Sequence, residues 1–366
     1  MIADAADRLR LIRTPTIGPV TYRQLMARFG NASAALAALP ELAARGRRKL
    51  DVPSLAVAED ELASYQRLGA QLLFVGSPGY PALLAATETA PPLLTALGDA
   101  SLADRACLGV VGARNASAAG VRLARRWSEE LAARDLVIVS GLARGIDTAA
   151  HIGAIAGGTI AVIAGGIDVV YPPENQGLMA RIAEEGLVLA EQPPGVQPQA
   201  RHFPRRNRII AGLAAGTLVI EAAPRSGSLI TARLAADYGR EVMAVPGSPL
   251  DPRAQGCNQL IREGATLVQS ADDVLEALSA FDADGRGGTL GGRFQLAEIT
   301  GDYDVAAAAP EEVRTALTGL LSPAPVAIDE LVRQSGYPAA MVAHVLLDLE
   351  LEGALERHAG GRVARA

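Results

Sequence analysis

Lysine is almost missing from this chain: Lys49 is the only one in 366 residues, so nearly every positive charge is a guanidinium. That excludes a Walker-type phosphate loop, which needs a lysine on the terminal phosphates. A Gly-x-Gly-x-x-Gly fingerprint is absent as well, because Gly109 and Gly112 are spaced differently. No cofactor, neither NAD nor ATP, is therefore expected. Cysteine is scarce, and Cys107 and Cys257 show no Cys-x-x-Cys or Cys/His ligand spacing. That speaks for a reducing compartment and against a structural zinc. No run of 18 apolar residues and no apolar signal core near the N-terminus occur, so a cytoplasmic protein without a membrane partner is expected. A positive balance is lacking too: the net charge is −6. Coating duplex DNA by bulk charge is thereby excluded, and any nucleic-acid site has to be a local basic patch on an acidic body.

Against that background one segment stands out. Between Val196 and Ile220 there are four arginines (Arg201, Arg205, Arg206 and Arg208) and no acid. They flank Phe203, one of only five phenylalanines, with His202 beside it and Asn207 between two of the arginines. Guanidinium forks match phosphate oxygens, and an aromatic face accepts an unpaired base. Single-stranded nucleic acid is the partner this chemistry suits. A solvated basic face on an amphipathic helix explains the same residues.

The organisation predicts four parts. Residues 1–66 read as short helices, with a Thr16–Val20 turn that resembles a helix-hairpin-helix (SAM-like) unit and is read here as a plain helix connection. The Arg45–Lys49 cluster reads as a solvated loop. Residues 67–282 alternate apolar strands with amphipathic helices, which predicts an α/β, Rossmann-like, doubly wound and mostly parallel sheet. Strand signals fall at Leu72–Val75, Leu108–Val111, Val137–Val139, Thr159–Ile163, Leu187–Leu189, Thr217–Ile220, Val242–Val245 and Thr266–Val268. Residues 283–308, with the run Gly285–Gly292, read as a flexible linker. Residues 309–366 give three helix signals and a hairpin over Gly360 and Gly361, a winged-helix domain.

In doubly wound sheets ligands sit beyond the carboxyl ends of the strands, and the strong loops here follow strands. They are Gly112-Ala113-Arg114; Ser140 to Asp147, with Gly141, Arg144 and Gly145; and Arg225 to Thr231, with Ser226, Gly227 and Ser228. Glycine turns and helix N-termini make anion nests, and each loop adds an arginine to the same rim. Catalytic signals are weaker. Asp147 and His151 share a helix face, but no nucleophile elbow accompanies them, so a structural pair is expected. Glu191, Glu221 and Asp168 near strand ends do not form a metal set. The third helix of the winged module has no Lys or Arg from Pro338 to Glu352, which suits a protein contact better than a duplex reader.

These loops resemble those of the DprA/Smf family of DNA-processing proteins. The likeness runs through Val111–Arg114, Ser140–Asp147 with Ala150-His151, and Tyr171-Pro172. It continues through Phe203–Gly212, Ser226–Ala232 and Val245–Gly247. The resemblance implies a homodimer that binds single-stranded DNA without catalysis, protects incoming DNA in natural transformation and loads the RecA recombinase. The family's Gly-Ser-Arg loop falls on Gly112, Ala113 and Arg114, with alanine replacing the usual serine. Its Phe-Pro-x-Arg-Asn-Arg stretch falls on Phe203 to Arg208. A second reading is a nucleotide phosphoribohydrolase on a related fold. Those enzymes carry Pro-Gly-Gly-x-Gly-Thr and a following Glu where this chain has Ser226 to Thr231.

Overall fold

The computed structural model describes residues 2–44, 50–283, 311–358 and 360–366. The Arg45–Lys49 cluster lies outside the described residues, as does the expected linker apart from residue 283. The chain divides into two compact units: Ala63–Ala297, and Met1–Leu62 together with Glu298–Ala366.

Four helices open the chain: α1 (Ile2–Arg13), α2 (Pro19–Phe29), α3 (Ala32–Ala44) and α4 (Leu55–Arg67). Gly18 caps α2, and Pro19 takes its first position, where a missing N–H costs nothing. The Thr16–Val20 turn thus lies between two helices.

Ala63–Ala297 is organised around a nine-stranded sheet. Its strands are β1 (Gln71–Phe74), β2 (Leu93–Gly98), β3 (Cys107–Gly112), β4 (Val137–Ser140), β5 (Thr159–Gly166), β6 (Leu187–Gln192), β7 (Gly216–Ile220), β8 (Glu241–Ala244) and β9 (Thr266–Leu267). Between and after them run α5 (Ala82–Ala85), α6 (Ala118–Ala132), α7 (Ile146–Ala154), α8 (Gln176–Glu185), α9 (His202–Leu213), α10 (Gly227–Asp237), α11 (Gln255–Arg262) and α12 (Ala271–Ala283). The order across the sheet is β1-β2-β6-β5-β4-β3-β7-β8-β9. Neighbours from β6 to β9 are parallel, whereas β2 runs antiparallel to β6 and β1 antiparallel to β2. Strand β2 has no counterpart among the strand signals of the sequence; it follows Pro91-Pro92 and with β1 forms the antiparallel end of the sheet.

Every residue of β5 is buried, as a strand covered on both faces requires. Along β3, Val111 packs with Ile209 and Ile210 of α9 and Leu229 of α10. Leu108 and Val110 pack with Trp127 and Leu131 of α6, Ala150 of α7 and Leu278 of α12. This alternation makes three layers. From β3 the crossovers step one way through β4, β5 and β6; from β7 they step the other way through β8 and β9. The topological switch point therefore lies between Gly112 at the end of β3 and Ile220 at the end of β7, which are paired in register.

The last elements are α13 (Glu311–Leu320), β10 (Val326–Ala327), α14 (Ile328–Ser335), α15 (Ala339–Leu351), β11 (Leu355–His358) and β12 (Arg362–Arg365), with sheet order β10-β12-β11. Val313, Leu317, Leu331, Val345, Leu349 and Val363 form their common core. This is the expected winged helix.

A close helix contact gives the fold a test. A Cβ at Gly153 of α7 would sit 2.1 Å from the Arg125 carbonyl oxygen of α6. Gly to Ala inside a helix ordinarily stabilises by about 1 kcal/mol. Here Gly153→Ala is expected to destabilise by about 1–3 kcal/mol, because two backbones have to separate; urea unfolding reads the sign.

Candidate nucleic-acid interface

The basic segment folds as α9, and the helical period sorts its arginines. Arg201 and Arg205 are exposed, Arg208 is half-buried, and Arg206 is only 6% exposed. The Arg206 Nη1 donates to the carbonyls of Gly141, at the end of β4, and Val162, in β5, at 2.5 and 2.7 Å. Only glycine fits at 141, where a Cβ would lie 1.9 Å from that nitrogen. Burial lowers the Arg206 pKa to about 10, with Asp147 opposing the shift, so the charge is kept at neutral pH. Arg206 was expected as a phosphate contact; it is instead committed to two backbone carbonyls that need its protons. Arg208 also departs from expectation. Its guanidinium donates to the Thr89 carbonyl and pairs with Glu191. His202 is buried, accepts from the Gln199 N–H through Nδ1 at 3.3 Å, and has its pKa lowered by burial and then by Arg201 and Arg205. Asn207 donates to the Gly227 carbonyl at 3.2 Å, which ties α9 to the start of α10.

The Ser140–Gly145 loop is held from below. Asp147 accepts from Gly141 N and Ala143 N, at 3.1 and 3.3 Å. Asn175 donates to the Leu142 carbonyl at 2.8 Å. Leu142 takes a left-handed φ of 54° and is fixed there by these neighbours. The Leu142 N–H reaches His151 Nε2 at 3.3 Å. The Thr159 hydroxyl donates to the Ile138 carbonyl at 2.8 Å, so it accepts from His151 Nδ1 at 2.7 Å. His151 is thus a neutral tautomer with both nitrogens used. Burial and the Arg206 charge depress its pKa to about 3. The Asp147–His151 pair is structural, as the sequence reading expected.

Above this floor the loops line two adjoining depressions. The larger, of about 710 Å³, runs from Gly112, Ala113 and Arg114 past Phe203 to Arg225, Ser226, Gly227, Ser228 and Thr231. The smaller, of about 220 Å³, is shared by Arg114, Gly141, Arg144, Tyr171 and Phe203. Phe203 is the hinge of the arrangement. The Arg114 guanidinium carbon lies 5.1 Å from its ring centre, and the Tyr171 ring lies 5.7 Å away at 56°. Gly145 caps α7 beside this loop. Arg144 pairs with Glu174 across an exposed rim, where such a pair contributes little. Arg114, Arg205 and Arg225 carry no ion-pair partner among the described residues.

Two helix N-termini face the switch point, and they differ. At α6 the Glu221 carboxylate, turned by a left-handed φ of 53°, accepts from Ser117 N at 2.8 Å and from the Ser117 hydroxyl. This site is already satisfied by an internal anion, as is the helix dipole behind it. At α10 Ser226 is the cap, its hydroxyl 2.7 Å from that of Ser228, and Gly227 is exposed. That end opens into the larger groove next to Arg225, whose φ is 65°. A dinucleotide would place pyrophosphate at α6, where a carboxylate stands; an anion entering the groove meets α10 instead. Tyr171, Asn115 and Arg253 also line the site and were not among the expected residues. Tyr171-Pro172 is visible in the sequence as a motif, but nothing in its spacing shows that it reaches Phe203.

Fold and site together define a Rossmann-like protein whose switch point is lined by arginines and aromatic rings. A family model described as DNA recombination-mediator protein A matches residues 71–279. A DprA-like N-terminal HHH domain matches 3–64, and a DprA winged helix domain matches 303–361. The DNA processing protein DprA of Bacillus subtilis is 44% identical over 220 residues, 59% of this chain and 74% of that protein. The X-ray structure of DNA processing protein A from Streptococcus pneumoniae superposes with a TM-score of 0.63 at 38% identity, over 74% of this chain and 95% of that one. The Helicobacter pylori protein, described for its single-stranded DNA binding mode, gives 0.53 at 26% identity, over 58% and 97%. The chain belongs to the DprA/Smf family.

The His151 network yields a pH prediction. The folded ring refuses a proton that the unfolded ring takes near pH 6.5. Its contribution to stability is complete above that pH and is lost as the pH falls toward about 3. Urea unfolding between pH 6.5 and 4 should show up to about 1.4 kcal/mol per pH unit from this residue, and His151→Gln should flatten that part of the profile.

Proposed function

We propose that this chain binds single-stranded DNA along the groove from Arg225 and the start of α10 to Arg114, with bases stacking at Phe203 and Tyr171. The observation that carries the reading is the shelf formed by Phe203, Arg114 and Tyr171 beside an open helix N-terminus. Stacking needs an accessible aromatic face, which only unpaired bases can use, and the backbone needs cations free to meet it. Binding is the whole of the chemistry in this reading. The two carboxylates nearest the groove are each held by two scaffold donors: Asp147 by Gly141 and Ala143, Glu221 by Ser117. A hydrolase would need one of them aimed at substrate, so nucleoside monophosphates should release no free base in its presence.

Family membership supports the finer reading. In it the protein acts in the cytoplasm as a homodimer, covers incoming single strands during natural transformation, and passes them to RecA. RecA ATP hydrolysis on a strand covered by this protein should then start sooner than on the same strand covered by an unrelated single-strand binder.

Binding of a fluorescent oligonucleotide tests the groove. With three or four exposed arginines engaged, the log–log salt slope should be roughly −2 to −3, and Arg114→Ala or Arg225→Ala should each reduce its magnitude by about 0.7. Phe203→Ala should cost about 1–3 kcal/mol while leaving the slope unchanged, because stacking is not ionic. Wild-type affinity in all three variants would place the strand elsewhere.

A further inference from the structure

Helix α15 occupies the position that reads the major groove in winged-helix proteins. From Ala339 to Leu351 its only polar side chains are His344, Asp348 and Glu350. A helix that is apolar on almost its whole circumference is covered on more than one side. Val342, Val345, Leu346 and Leu349 face the winged-helix core. Leu347 and Leu351 lie outside that core, yet they are 2% and 1% exposed. The other end of the chain lies against this helix: α15 packs against α2 and α3.

A polar seam closes the contact. Arg28 of α2 donates to Asp348 at 2.6 Å, with side chains 14% and 9% exposed. Thr21 donates to Glu350 at 3.1 Å. Arg357 of β11 bridges Glu350, at 2.8 Å, and Gln24 of α2, at 3.0 Å. Glu352 is occupied within its own domain by Arg314. The acids that make α15 a poor nucleic-acid helix are thus the groups that hold α2.

We infer that α15 is an intrachain docking helix: its partner is the N-terminal helical hairpin, and the helices at the two ends of the chain unfold as one cooperative unit. This inference does not depend on where single-stranded DNA binds. Removing one partner of the Arg28–Asp348 pair strands a nearly buried charge, so the damage should reach both ends of the chain.

Hydrogen exchange on the full chain, read peptide by peptide, tests it. Arg28→Asp should raise exchange in both 19–29 and 339–351 by about ten-fold, with α6 and α7 unchanged. Asp348→Arg should do the same, and the double variant with the charges swapped should recover most of the protection. A rise confined to one end, or a swap no better than either single change, would overturn the inference. If a charge reversal fails to fold, Asp348→Asn keeps the shape and should still give a linked rise of about two-fold; no linked rise there overturns it equally. Duplex affinity of Arg28→Asp should not increase, because the released helix brings no cation. A gain of about ten-fold would mark α15 as a masked reader and sink the docking role.

Discussion

The site depends on one buried guanidinium. Arg206 crosses from α9 to the carbonyl of Gly141, just past the end of β4, and to that of Val162 within the adjacent parallel strand β5, and so fixes α9 against both. Phe203 lies one helical turn earlier, and its ring is aimed by that anchor. Burying a charge this deeply is costly, and the cost is offset where Nη1 meets two carbonyls and the Asp147 carboxylate lies near, although Nε is buried without a partner. The geometry also dictates glycine at 141, since any side chain would displace the guanidinium. A residue that looks like a phosphate ligand is thus the beam under the aromatic ring of Phe203.

The other arginines divide according to what surrounds them. Arg208 meets Glu191 beside the sheet, Arg144 meets Glu174 on an open rim, and Arg114, Arg205 and Arg225 face solvent without an ion pair among the described residues. Glu221 performs a complementary task by filling the donor nest at α6. The switch point consequently offers one open helix N-terminus rather than two. This favours a ligand that runs along the groove over one that spans both helices.

The strand–helix alternation, the glycine loops after strands and the winged helix were all legible in the chain, because burial on both faces imposes continuous apolar strands and periodic helices. The Phe203 region was legible too, since an acid-free basic stretch in an acidic protein is a local signal. Strand β2 was hidden behind two prolines. Tyr171 was visible as a motif but not as the neighbour of Phe203, thirty-two positions away in the chain. The acids of α15 stand out in the sequence, but their partner Arg28 is more than three hundred residues distant.

The sequence by itself determined which segments are strands and helices, where the glycine loops after the strands fall, and which residue types lie on them, because each depends on local periodicity and turn chemistry. Tertiary structure alone decided which guanidiniums stay free. A side chain's reach into a strand end, a carbonyl or a distant carboxylate depends on how the crossovers stack, and four arginines within eight residues look alike until the helix turns each toward a different neighbour.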